Sequence, residues 1–342
     1  MLLVEDNFVL VPPAHDSDSH DDHQARELTW LLTSVRSTLA QLQRGLEDCC
    51  ALLSPADAAG STLVLTTPRN ETVKGHATRV GAHLVRGLVH LKLRTLPPQT
   101  LSLDPSRPVR VAALARLDAL LAGAVGLCLS LEERAAPSAP YLASQLRLLS
   151  RHISEAAAVV KGPPRAPSPR PSLNAARPTT SSSARSFTSH APANSPQIPL
   201  DTAWTTSSVS LSHFAPPLSR NLSLYVTIQD ASLVLYLRAL EPADAPVNFG
   251  TKLALAIGTT RRLEHDEADR VFTYRCDGET RFEGSSAEDG KKGVEVYVRE
   301  KVRVESADPS LLSLSAKLSA LGNTLGLARR NLAAVMGEEM ED

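Results

Sequence analysis

The sequence predicts an α+β protein: a discontinuous antiparallel four-helix bundle with zipper-like seams, joined to an antiparallel β-sheet domain, with a disordered linker. Three observations predict it. Four segments repeat apolar residues at steps of three and four, several shorter runs alternate apolar with polar residues, and one long Pro/Ser-rich stretch lacks large apolar side chains. At 342 residues the chain has room for one large or two ordinary domains with a real core.

The elements follow in chain order. The opening MLLVEDNFVLVPP carries acidic residues where a secretory signal needs a basic region, so no signal peptide is expected, and residues 1–23, ending in DSDSHDDH, read as a disordered acidic tail. Residues 24–54 begin the helical bundle. There Leu28, Leu32, Val35, Leu39, Leu42, Leu46, Cys49 and Leu53 step by four and three until Ser54-Pro55 ends the run. Residues 61–104 open the β domain, with strands expected at STLVLTT (61–67) and HLVRGLVHLKL (83–93).

Residues 107–161 return to the bundle. A helix over 108–134 opens on Pro108 and carries Leu114, Leu117, Leu121, Val125 and Cys128. A second, over 139–160, follows Ser138 and carries Leu142, Leu146, Leu149, Ile153, Ala156 and Val160. The apolar window at 119–131 is short of the roughly 20 residues that span a bilayer, so a buried helix is expected. Residues 162–217 read as the disordered Pro/Ser-rich linker.

Residues 218–305 complete the β domain. LSRNLSLYVTIQDASLVLYLRALEP is a hairpin with Leu222, Leu224, Val226 and Ile228 on one strand and Leu233, Leu235 and Leu237 on the other. Further strands are expected at 252–257, 271–276 and 293–306, the last with a phase break near Glu300. Its interleaved Lys, Arg and Glu predict a one-sided sheet with a solvated outer face. Residues 307–337 close the bundle, with Asp308 as N-cap, Pro309 in the first turn, and Leu311, Leu314, Leu318, Leu321, Leu325, Ala328, Leu332 and Val335 as the stripe. Four matching stripes in one chain favour packing within the chain over a coiled-coil dimer.

The charge balance, 36 Lys plus Arg against 37 Asp plus Glu, recruits neither nucleic acid nor an anionic membrane through net charge. Cys49, Cys50, Cys128 and Cys276 lack zinc-ligand spacing and read as free thiols of a reducing compartment, which places the protein in the cytoplasm. GSSAEDGKK (284–292) comes nearest to a phosphate loop, but the spacing between Gly284 and Gly290 is wrong and Lys292 stands where Ser or Thr should be. His15, His20 and His23 among aspartates suit a solvated tail better than a metal site. EHDEAD (264–269) clusters carboxylates but reads as an exposed turn between arginines. Arg165, Arg170, Arg177 and Arg185 lack interleaved aromatics for stacking bases, and Ser168 and Ser195 precede proline as phosphorylation candidates. No catalytic, cofactor-binding or metal-ligating residue is assigned, and no cofactor or nucleic acid is expected.

The stretches RELTWLLTSVRSTLAQLQRGLEDC, GSTLVLTTPRNETVKGHATRVGAHLVRGLVHLKL, NLSLYVTIQDASLVLYLRALEP and DPSLLSLSAKLSALGNTLGLARRNLAAVMG together resemble the Rogdi family. These leucine-zipper-containing proteins include the second subunit of the fungal RAVE complex, the regulator of proton-ATPase assembly. The resemblance implies a helical bundle joined to a β domain and a non-enzymatic adaptor. The implied partners are a large WD-repeat subunit and peripheral-sector subunits of the V-ATPase, and the implied location is peripheral to vacuolar and endosomal membranes through those partners. A generic coiled-coil scaffold of trafficking or cytoskeleton is the alternative.

Overall fold

The structure, a computed structural model, describes residues 17–54, 60–134, 138–163, 201–244, 265–268, 270–275 and 293–336. The described residues are mixed α+β, with helices α1 (Ser17–Leu53), α2 (Ala112–Glu132), α3 (Ala139–Lys161), α4 (Trp204–Ser207) and α5 (Pro309–Met336) and two antiparallel sheets. The chain divides into two compact units: a helical one of Met1–Ala59, Ala115–Val160 and Pro309–Asp342, and a sheet one of Gly60–Leu114 and Lys161–Asp308.

In the helical unit most stripe positions are buried, among them Leu311, Leu314, Leu318, Leu325 and Leu332 of α5, whose Leu321, Ala328 and Val335 are half-buried. All six predicted positions of α3 are buried, as are Val35, Leu39, Leu42, Leu46, Cys49 and Leu53 of α1. At the start of α1 the buried residue is Leu31 rather than Leu32, because a helix of 3.6 residues per turn drifts against a strict heptad. In α2 the buried residue is Ala124 where Val125 was expected. Helices α1 and α5 run antiparallel: Lys317 donates to Asp48 at 2.7 Å, and a Cβ on Gly45 would lie 2.6 Å from Leu321 Cδ2, so glycine allows that close approach. Arg329 of α5 donates to Ser150 of α3 at 3.0 Å, and Arg116 of α2 lies 3.5 Å from Glu155 of α3.

In the sheet unit, the first sheet comprises β1 (Ser61–Thr66), β2 (Val73–Val80), β3 (His83–Leu91), β4 (Gln99–Leu103), β5 (Val109–Arg110) and β6 (Phe214–Ala215). Their order is β1-β2-β3-β4-β6, with β5 pairing β3. The second comprises β7 (Leu222–Gln229), β8 (Ser232–Pro242), β9 (Val271–Tyr274) and β10 (Val294–Ala307) in the order β7-β8-β10-β9. The β7–β8 hairpin turns on Asp230 and Ala231, whose φ values of 48° and 58° are the two left-handed residues that match the twist of paired strands. The phase break of β10 is a β-bulge between Val298 and Glu300 against β8.

Several expectations need correction. Helix α1 begins at Ser17, so part of the expected acidic tail is helical. Pro108 does not open α2, because Val109–Arg110 pair with β3 first. The stretch read as linker includes ordered structure over residues 201–217, where Trp204, Leu211 and Phe214 supply buried apolar surface; residues 164–200 lie outside the described residues. The second sheet is not one-sided. Ser223, Thr227, Gln229 and Arg238 of its polar face are buried, because α4 and the turn at residues 265–268 cover that face. The expected strand at 252–257 lies outside the described residues, and β2 and β4 were not foreseen.

Candidate functional site

The concentration of chemistry in the sheet unit begins with strand alternation. On β8, Tyr236 and Arg238 share the face opposite to Leu235 and Leu237, with Ser223 of β7 and Lys301 of β10 paired beside Arg238. Arg238 is 2% exposed, and a guanidinium at that depth needs a carboxylate. Glu267 supplies it: Arg238 Nε donates to Oε2 at 2.7 Å and Nη2 to Oε1 at 2.9 Å, a bidentate fork. Lys301 Nζ donates to Glu267 Oε1 at 2.7 Å and to Asp266 Oδ1 at 2.8 Å. The guanidinium carbon stands 4.6 Å from the Trp204 ring centroid and 5.1 Å from that of Tyr236, cation–π contacts on both. Trp204 in turn packs on Phe272 and Tyr274.

Protonation is set locally. His265 Nδ1 accepts from the Glu267 backbone N–H at 3.2 Å, which puts the ring proton of the neutral form on Nε2. Burial lowers the His265 pKa, more than the neighbouring carboxylates raise it. At Asp266 burial works upward, but the hydrogen bond and charge of Lys301 prevail and hold the carboxyl below its ordinary range.

EHDEAD is therefore not simply an exposed turn. Asp266 is exposed, while Glu267 is 1% exposed and both its oxygens accept from cations. A carboxylate so saturated has no lone pair poised for proton transfer; it neutralises Arg238 and pins the turn to the sheet. The signal in the sequence was Arg238 itself, a lone cation inside the apolar run LVLYLRAL. Two further buried carboxylates behave alike. Asp308, directly before α5, accepts from Arg79 Nε at 2.7 Å, both side chains being at most 1% exposed. Glu300 accepts from the Arg94 and Thr95 backbone N–H groups at 2.8 and 3.1 Å.

The remaining candidates are weaker. Among the described residues no group of His, Cys, Asp or Glu could hold a metal. Cys49, Cys50 and Cys128 are free thiols, and burial pushes Cys49 and Cys128 up to about 11, which keeps them protonated and unreactive near neutrality. A cleft of about 170 Å³ lies between Thr33, Arg36 and Leu39 of α1, Leu131 of α2 and Leu142 of α3. Helix α2 has the length and apolarity to cross a membrane by composition alone, and buries Leu114, Leu117, Leu121 and Cys128 within the chain. The phosphate-loop-like stretch 284–292, Cys276, His15, the linker arginines and Ser168 and Ser195 lie outside the described residues.

The fold and its closed polar networks define an α+β protein of leucine-striped helices and paired antiparallel sheets. The chain belongs to the family described as Rogdi leucine zipper containing protein, whose model matches residues 27–333. No curated protein matches the chain.

Proposed function

We propose that the protein is a non-enzymatic adaptor subunit of a RAVE-like complex that promotes assembly of the peripheral and membrane sectors of the vacuolar and endosomal V-ATPase. The observation that carries this reading is the family match over residues 27–333. The pairing of Glu267, Glu300 and Asp308 with internal donors agrees with it, since each of these buried carboxylates is used in holding the fold. The partners are a large WD-repeat subunit and peripheral-sector ATPase subunits. The protein acts in the cytoplasm, at vacuolar and endosomal membranes.

In the same reading, α1, α2, α3 and α5 close as an antiparallel four-helix bundle; the α1–α5, α3–α5 and α2–α3 contacts support it. Burial of the α1 stripe within the chain weighs against an intermolecular zipper as the primary role.

The test is affinity purification of the tagged chain from its own cells at low and restored glucose. Co-purification of a large WD-repeat protein with peripheral ATPase subunits is expected. Recovery of neither from cells that express the protein would reject the adaptor reading.

A further inference from the structure

Strand alternation gives the first sheet one buried and one exposed face, and the exposed face is chemically unusual. The inward positions are apolar: Leu63, Leu65, Val73, Ala77, Val89 and Leu101 are all buried. The register places the outward residues in rows across four strands. One row is Val64, His76, Leu88 and Ser102; the next is Thr66, Lys74, His90 and Thr100; Thr62, Thr78 and Arg86 make a third.

The five strands STLVLT, VKGHATRV, HLVRGLVHL, QTLSL and VR contain no aspartate or glutamate. They contribute the exposed cations Lys74, Arg86 and Arg110, and Lys92 continues β3 on the same side. None of these four enters an ion pair among the described residues. In a chain whose net charge is −1, a sheet face whose cations have no ion-pair partner among the described residues is a local feature. At its centre stand two exposed aliphatic side chains, Val64 at 60% and Leu88 at 36%.

The arrangement of these groups selects the partner. Lys74 pairs with His90 and Arg86 with Thr78, so the row of His76 and Leu88 lies between them; with alternate residues about 7 Å apart the cations are spread over an open face and do not converge on one point. Their complement is a plane of anions. Threonine hydroxyls between the cations are donors to phosphate oxygens. Val64 and Leu88 are short enough to rest at the boundary of headgroups and acyl chains. No Phe, Tyr or Trp is present in the five strands; their only rings are the imidazoles of His76, His83 and His90, and the middle of the face is held by aliphatic Val64 and Leu88, which suit an acyl boundary better than stacked bases.

We propose that this face binds directly to the surface of an anionic phospholipid bilayer. The adaptor reading gives the protein a membrane address only through its partners; this contact is the chain's own and stands or falls independently of that complex.

The experiment is sedimentation of the purified full-length chain with vesicles of phosphatidylcholine alone and of phosphatidylcholine mixed with phosphatidylserine. Binding on the order of a hundredfold tighter to the anionic vesicles is expected from several cations near a charged surface, and it should fall steeply with added salt. The Lys74→Glu/Arg86→Glu double variant should abolish it, Val64→Ser should weaken it several-fold, and Arg330→Glu on α5 should leave it unchanged. Urea midpoints equal to the parent's verify that these exposed substitutions leave the fold intact. Equal binding to both vesicle types, or binding indifferent to the double reversal, would overturn the proposal. So would vesicles that never bind while the double reversal releases an acidic protein partner, since the face would then be a protein docking surface.

Discussion

In the helical unit burial falls almost wholly on leucine, whereas in the sheet unit it falls on charge as well. The helical unit keeps ion pairs such as Lys317–Asp48 and Arg151–Glu155 at its surface, where water and salt screen them. The sheet unit takes Glu267, Glu300 and Asp308 out of water and answers each with a specific donor set. A leucine stripe tells a helix which side to bury without naming a partner residue. A buried carboxylate names one, because a mismatched register would leave it bare. The two halves should therefore break differently.

The largest loss is expected from Arg238→Ala, which strands Glu267 without its fork partner and should cost roughly 3–5 kcal/mol in a urea melt. The paired replacement Arg238→Met/Glu267→Leu should recover most of that loss. If the pair is as damaged as the single variant, packing around Trp204 and not charge is the determinant. Close behind, Leu42→Ala or Leu149→Ala in the helical unit should cost about 2–5 kcal/mol through the cavity left, while Leu148→Ala, at 39% exposure, should stay within about 0.5 kcal/mol.

Backbone comes next. Gly162 follows α3 at φ +67°, and a Cβ there would meet the Ile228 carbonyl oxygen at 2.1 Å, so Gly162→Ala should cost about 2 kcal/mol or more by thermal melting.

The two units should also differ at the ends of the pH scale. Cys49 and Cys128, raised in the helical unit from 9.0 to about 11, favour the folded state fully below pH 9, and that contribution disappears as pH rises through 11. Circular dichroism at 222 nm should thus report alkaline weakening that Cys49→Ser/Cys128→Ala reduces. His265, lowered in the sheet unit, acts in the opposite sense: its contribution is present above the ordinary histidine pKa of 6.5 and is lost as pH falls through the depressed folded value. This is the smallest effect, since the ring is only half-buried. With Trp30→Phe leaving Trp204 as the one tryptophan, tryptophan emission should change in acid, and His265→Gln should remove the change.

What could be read from the sequence follows the same division. The α3 stripe, the β7–β8 hairpin and the interruption at Glu300 were legible because each depends on residues a few positions apart. Strand β2 was missed because its inward positions after Val73, namely Gly75, Ala77 and Arg79, give no apolar alternation; Arg79 is acceptable inside because Asp308, 229 residues later, and the Gly81 carbonyl receive it. The Glu267 pin was misread for the same reason. A carboxylate among charges reads as surface until the buried cation it serves is known, and Arg238 lies on another strand. Trp204 was hidden by its Pro/Ser-rich surroundings, and its burial depends on Phe272 and Tyr274, some seventy positions away.

The pairing of α1 with α5 bears on how the chain is made. In the chain α1 precedes both sheets and α5 follows them, so α1 leaves the ribosome well before α5 does. The sheets can close while translation continues, but the leucine stripe of α1 meets its antiparallel mate only after both sheets have been made. A chain interrupted before α5 would therefore leave the part of the α1 stripe that packs on α5 open, an apolar surface of the kind that aggregates or is met by chaperones.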